Sequence, residues 1–294
     1  MMGSELKIRC RNNGRQISVP LGSTLSEVYA LAGFTMDYGP VSAIVNNKVQ
    51  GMNYRLYNNK DVEFLSLTSS SGMRTYTRSL FLILAKAVED VFPGVQLFIG
   101  GSLCRGYYCK LRLGRPVEKE DINRLKARMQ EIIDADMPIC QKQCPTEEAI
   151  EMFAKRGMKS KVLLLEGLDR LYTYYYQLGE TVDYFYSCLL THTGQIHLFD
   201  LVKFYDGFLL CVPSRQEPWR LEEVEVYEKI LDTIREHHHW QKILGVQTVG
   251  ELNRAVEAGH ATDLINVSEA LQLKKLGYKF HKVDLSKAGR KLLS

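Results

Sequence analysis

The stretch LKIRCRNNGRQISVPLGSTLSEVYALAG, residues 6–33, decides the fold of the first part of the chain. Leu6 to Arg11 alternates apolar and polar residues and reads as a short strand, and Asn12-Asn13-Gly14 is a tight-turn signal. Gln16 to Val19 returns as the second strand of a hairpin, and Pro20-Leu21-Gly22-Ser23 breaks it. Ser23 or Thr24 then supplies an N-cap for a helix over Leu25 to Leu31, closed by Gly33. Ala43 to Asn46 and Val62 to Leu67 read as further strands around the Asn46-Asn47 turn. The order ββαββ within residues 1–67 predicts a small α+β roll. The polar, glycine-containing stretch Thr68-Ser69-Ser70-Ser71-Gly72 reads as a boundary between domains.

The whole chain has 294 residues, 45% hydrophobic and 24% charged, which predicts two domains with a helical appendage. That composition excludes disordered, collagen-like and disulfide-stapled chains. No apolar run reaches the length of a membrane span: Leu80 to Val88 is short and interrupted by Lys86. Lys7, Arg9 and Arg11 break up any signal-peptide core. Seven scattered cysteines read as reduced thiols, and a cytoplasmic location is expected. The formal charge of +4 is unevenly placed. Residues 273–294 carry seven basic groups against Asp284, a tail of +6 on a remainder of −2. The basic excess therefore belongs to the tail and not to a domain.

In the second part, Leu80 to Val91 has the length of one buried helix, ended by Phe92-Pro93-Gly94. Val95 to Ile99 and Tyr107 to Leu113 read as strands. Ile122, Leu125, Met129, Ile132 and Ile133 form an amphipathic helical stripe, and Pro145-Thr146 opens another helix over Glu147 to Arg156. Val162 to Leu165, Val182 to Tyr186, Ile196 to Phe199 and Phe208 to Val212 read as strands.

Gly14 followed by Pro20-x-Gly22-x-Thr24-Leu25-x-Glu27-Val28 resembles the TGS domain of threonyl-tRNA synthetases, a roll of the ubiquitin-like, β-grasp kind. Leu84-Ala85-Lys86-Ala87-Val88 with Phe92-Pro93 begins a second resemblance. It continues through Gly106-Tyr107-Tyr108, Met137-Pro138-Ile139 and Glu147-Glu148-Ala149-Ile150-Glu151-x-Phe153 with Gly157. Gly179-Glu180-x-Val182-Asp183 and Thr193-Gly194-x-Ile196 close it. This set is similar to the editing domain of threonyl- and alanyl-tRNA synthetases, and the two resemblances together span about residues 6 to 212. The family's editing site has a His-x-x-x-His pair on the first helix and a Cys-x-x-x-His pair near the Val-Asp motif. In register these positions are Arg78 and Leu82, then Phe185 and Leu189. Leucine and phenylalanine bind neither proton nor metal, and arginine stays protonated. The resemblance thus implies an editing fold without its editing chemistry, with no catalytic or metal-binding residue. Arg78, Arg105, Asp183 and Tyr186 are the candidates for an adapted pocket that takes a nucleotide or an RNA end.

Other chemistry-bearing residues favour plainer readings. His237-His238-His239 cannot converge on one ion, because consecutive helical side chains point about 100° apart. Cys140 and Cys144 lack a nearby second pair for zinc, and Cys104 and Cys109 read as packing thiols. His192 and His197 have no nucleophile at a fixed spacing. The tyrosines between Tyr172 and Tyr186 line a sheet more readily than they stack bases.

Leu221 to Arg235 carries one apolar stripe, Thr248-Val249-Gly250-Glu251 is a capping box, and Ser268 opens a further helix at Glu269. Residues 214–272 thus read as a helical connector. A TGS domain (1–67), an editing-like domain (74–213) and this connector resemble the N-terminal half of TGS-containing uridine kinase-like proteins. In those, Ser268-Glu269-Ala270-Leu271-Gln272-x-Lys274-Lys275 leads toward a phosphate-binding loop, G-x-x-x-x-G-K-[ST]. No segment here matches that loop. The resemblance implies a non-catalytic binding or regulatory portion of a nucleoside kinase-like protein. No cofactor is expected in this chain, and ATP and magnesium are expected only with a following kinase domain. An editing-type hydrolase with relocated catalytic groups and a free-standing RNA-binding module are the alternatives. An RNA, a nucleotide or a kinase domain are the expected partners, and a membrane is not.

Overall fold

A computed structural model gives the structure of the protein, with residues 5–224, 236 and 239–275 described. The fold is α+β, as the sequence reading expects. Strands β1 (Glu5–Cys10) and β2 (Gln16–Pro20) form the hairpin, Leu6 opposite Val19 and Arg9 opposite Gln16. Leu6, Ile8, Cys10, Ile17 and Val19 are buried while their neighbours face out, so the period of two in the sequence becomes one core-facing side. Gly14 turns the hairpin at φ +73°. Helix α1 (Leu25–Leu31) opens with a capping box. The Thr24 hydroxyl accepts from Glu27 N (3.2 Å) and the Glu27 carboxylate accepts from Thr24 N (2.7 Å). Strands β3 (Ser42–Val45) and β4 (Lys48–Gln50) pair around Asn46 and Asn47, both at positive φ. Strand β5 (Lys60–Leu65) lies between them and the first hairpin, parallel to β1 and antiparallel to β3, giving the order β2-β1-β5-β3-β4.

Helix α2 runs from Ser70 to Val91, ten residues longer at its start than the apolar run implied. The stretch read as a polar boundary is its first turn. Ser69 caps it by accepting from Gly72 N at 3.0 Å, and a Cβ on Gly72 would lie 2.0 Å from the Ser66 carbonyl oxygen. Polar, small residues serve a linker and a helix start equally well, and here the close approach to Ser66 selects the second role.

Around α2 stands the larger core. Strands β6 (Leu97–Leu103), β7 (Gly106–Leu111), β11 (Asp200–Phe204) and β12 (Gly207–Cys211) form a sheet in the order β11-β12-β7-β6. Strands β8 (Cys140–Pro145), β9 (Tyr172–Leu178) and β10 (Thr181–Asp183) form another, in the order β10-β9-β8. Helix α3 (Lys119–Asp134) presents the expected stripe, burying Ile122, Leu125, Met129, Ile132 and Ile133 against the cluster that includes Leu80, Leu84 and Phe208. Its first turn is held by Asp121, which accepts from Glu118 N and receives a bidentate pair from Arg115 at 2.7 and 2.8 Å. That pairing lowers the Asp121 carboxyl to about 2.

The chain divides into two compact units, one holding residues up to 142 and 174–225, the other 143–173 and the residues from 226. In the first, the roll and the α2 core are continuous: Val41 packs in the same apolar cluster as Tyr76 and Leu80, and Leu67 N donates to the Tyr38 carbonyl at 3.0 Å. The second contains α4 (Thr146–Lys155), α5 (Lys159–Glu166), α6 (Val249–Glu257) and α7 (Ala261–Lys275). Its packing is close. A Cβ on Gly250 would lie 2.7 Å from the Leu163 side chain, and Arg254 pairs with Glu166 at 2.6 Å.

Four further expectations are corrected. The roll has five strands rather than the four of ββαββ, because Lys48–Gln50 adds β4 after the Asn46-Asn47 turn. Val162 to Leu165 is helix α5, since a short apolar run fits strand and helix equally and Lys159 to Glu166 extends it to two turns. Ile196 to Phe199 is a loop after a single 3₁₀ turn, with the strand starting at Asp200. Ser268 opens no helix; it lies inside α7, where its hydroxyl donates to the Leu264 carbonyl four residues back. The Thr248 capping box is present as read. Most of the Leu221 to Arg235 stripe, His237-His238 and nearly all of the basic tail lie outside the described residues.

Candidate functional site

The site is built on one face of α2. Residues 75, 78, 79 and 82 share that face by helical spacing. Opposite them runs the chain after β10, residues 184–190. Ser79 fixes the two together: its hydroxyl donates to the Thr75 carbonyl (2.9 Å) and accepts from Leu190 N (2.8 Å). Thr75 Oγ1 lies 3.5 Å from Cys188 Sγ. The Arg78 guanidinium donates to the Cys188 carbonyl (3.3 Å) and to Ser187 Oγ (3.3 Å), and its cation sits 5.9 Å from the centre of the Tyr186 ring.

Arg78 and Leu82 on α2, and Phe185 and Leu189 on the facing segment, are the positions that the editing resemblance singles out. Leu82 is 0% exposed and Leu189 2%, both in the main apolar cluster, with Phe185 packed against it. Phe185 meets Tyr176 edge to face at 6.2 Å. Burial raises the Tyr176 hydroxyl above its ordinary value, and Cys188 adds to the rise. Bonding to the Leu189 backbone and the Arg78 charge oppose it in part. The site is thus a packed apolar plug with an arginine and a tyrosine at its rim, where Tyr186 is 83% exposed. A hydrolytic metal or base does not fit this donor set: leucine and phenylalanine offer nothing to ligate, and the Arg78 guanidinium repels a cation. Among the described residues no three His, Cys, Asp or Glu side chains gather where they could hold a metal ion.

The chain is similar to threonine–tRNA ligases. It is 30% identical over 185 residues to the enzyme of Symbiobacterium thermophilum, covering 62% of this chain and 28% of the ligase. Identity is 27% over 183 residues with that of Marinobacter nauticus, 61% of this chain and 28% of the relative. With threonine–tRNA ligase 2 of Bacillus subtilis it is 26% over 192 residues, 65% and 30%. The chain spans less than a third of the length of these curated relatives. No family model matches it.

The other candidate residues are dispersed. Arg105 lies on the β6–β7 turn at positive φ, where it pairs with Glu222. Asp183 ends β10, opposite Tyr176 of β9, and accepts from Tyr184 N at 2.6 Å. Arg78 and Tyr186 are joined; no contact ties Arg105 to them. Thr75 and Ser79 escaped the sequence reading, although both fall on the Arg78–Leu82 face by spacing alone, whereas Tyr176 lines a sheet, on β9, as that reading expects. His192 and His197 stay apart in role. His197 Nε2 lies 3.0 Å from the Pro218 carbonyl, beneath the Tyr38 ring, while His192 borders an open cleft with Asp134 and Asp136. The polar groups of that cleft serve the fold: Asp136 accepts from Gly194 N, Asp134 from Gln130, and Gln195 from Thr191 and His192 N. No helix among the described residues is long and apolar enough to cross a membrane.

Proposed function

We infer that this chain is an RNA-binding module related to threonine–tRNA ligases, which takes an RNA end at the rim of the α2 site and does not hydrolyse it. The observation that supports this reading is Arg78 beside the exposed Tyr186 ring, at the edge of an apolar core that buries Leu82 and Leu189. The Arg78 guanidinium suits a phosphate, and the exposed Tyr186 ring suits an unstacked base. Asp183 and Arg105 flank the same domain and complete the proposed set at lower weight, since Arg105 is already paired with Glu222. The domain ranges 1–67, 74–213, 214–272 and 273–294 belong to the same proposal.

A link to a nucleoside kinase rests on the sequence resemblance alone, and the relatives named above are ligases. An editing hydrolase with relocated groups is the second reading, favoured by the ligase relatives, although among the described residues no three His, Cys, Asp or Glu side chains gather where they could hold a metal ion. Three measurements test the reading together: zinc content, turnover of mischarged tRNA, and tRNA binding. Binding without turnover and without stoichiometric zinc is expected, with affinity weakened by Arg78→Ala. Turnover with zinc, or phosphorylation of uridine from ATP by this chain, overturns it.

A further inference from the structure

The outer face of the β-grasp sheet carries a feature separate from the α2 site. Along β1, Leu6, Ile8 and Cys10 point inward, so Lys7 and Arg9 stand on the other face about 7 Å apart, and Arg11 follows at the next alternate position. An open cleft of about 600 Å³ lies there. Four cations line it, Lys7, Arg9, Arg11 and Lys60, against a single carboxylate, Asp61. Arg11 holds that carboxylate at 3.2 Å. Among the described residues the side chains of Lys7, Arg9 and Lys60 make no ion pair.

Two of the four amide side chains of the cleft have their oxygens engaged by the backbone. Asn59 Oδ1 accepts from Lys7 N (2.8 Å) and Asn46 Oδ1 from Asp61 N (3.1 Å), which leaves the Nδ2 group of each for a ligand. The lining has no aromatic or aliphatic side chain to hold a base or an apolar group. A row of cations with oriented amide donors matches the oxygens of successive phosphates.

We propose that this face grips the phosphate backbone of an RNA strand, as a second contact independent of the α2 rim. The choice of RNA among polyanions rests on the reading given above. The experiment uses the full chain with two probes, a tRNA and a poly(U) strand of about 20 nucleotides, and measures affinity against salt concentration. The variant Lys7→Gln/Arg9→Gln/Lys60→Gln should bind poly(U) at least about tenfold more weakly. Its log–log salt slope should be shallower by about 2, from three lost phosphate contacts on a single strand. A Lys7→Arg/Lys60→Arg variant keeps the slope, and an unchanged melting temperature certifies the fold of each. Poly(U) that fails to bind the wild type, or binds the glutamine variant equally, overturns the proposal. If poly(U) binding falls as expected while tRNA is bound no better than poly(U) and Arg78→Ala changes neither, the α2 reading fails and the β1 face stands. Tight binding of inorganic polyphosphate with no binding of either RNA overturns both.

Discussion

The α2 site and the outer face of β1 differ in what their charged and polar groups touch. At α2 each group is answered inside the protein: Arg78 by Ser187 and the Cys188 carbonyl, Ser79 by Thr75 and Leu190. On β1, Lys7 and Arg9 stand beside a cleft whose one carboxylate, Asp61, is held by Arg11. The first region is packed as core, with Arg78 and Tyr186 at its rim. The second is a surface whose charge is left for something outside. Binding capacity can thus reside on a face that no catalytic motif marks.

This contrast can be broken in three ways. The largest effect belongs to Leu82→Ala, which removes a fully buried side chain from the plug. It should cost about 2–5 kcal/mol in urea unfolding, and a cost below about 1 kcal/mol would mean that the site is not packed core. Next comes alkali. Burial pushes the Tyr76 hydroxyl up to about 12 and raises that of Tyr176 as well. Below about pH 10 both are neutral folded and unfolded; above it the unfolded chain loses protons that the folded chain keeps. Stability should therefore hold to about pH 10 and fall as pH rises further, by up to about 1.4 kcal/mol per pH unit for each tyrosine. Replacement of both tyrosines by phenylalanine should flatten that slope, and a slope unaltered by the replacement would place the titrating groups elsewhere. The smallest effect is that of Arg9→Gln on the open face, expected within about 0.5 kcal/mol by thermal melting. A larger loss would show that Arg9 supports the fold.

The hairpin, α1 and the Asn46-Asn47 turn were legible because alternation, a capping hydroxyl and turn residues are local codes, while the choice of Thr24 over Ser23 and the short strand β4 were not. The α2 start was not, since Ser69 to Gly72 acquires its role only against Ser66. Val162 to Leu165 failed because four apolar residues have no measurable period. At the site, Arg78, Leu82, Phe185 and Leu189 were singled out by the resemblance, and helical spacing set Arg78 and Leu82 one turn apart on α2. The grouping of Arg105 with Arg78 was not sound, since proximity to a conspicuous turn carries no information about the distance across a sheet. Lys7 and Arg9 were read as strand pattern, and their unanswered charge became visible only with the position of Asp61.

Strand β12 has all five residues buried and pairs with β7 on one side and β11 on the other. Yet β7 ends at Leu111 and β12 begins at Gly207. At the ribosome, with elongation of about 5–20 residues per second, the inner edge of β7 and the apolar flank of α2 wait roughly 5–20 seconds for their central partner. During that interval the growing chain displays an unpaired strand beside uncovered leucines, so its dependence on chaperones should be concentrated in this window of synthesis.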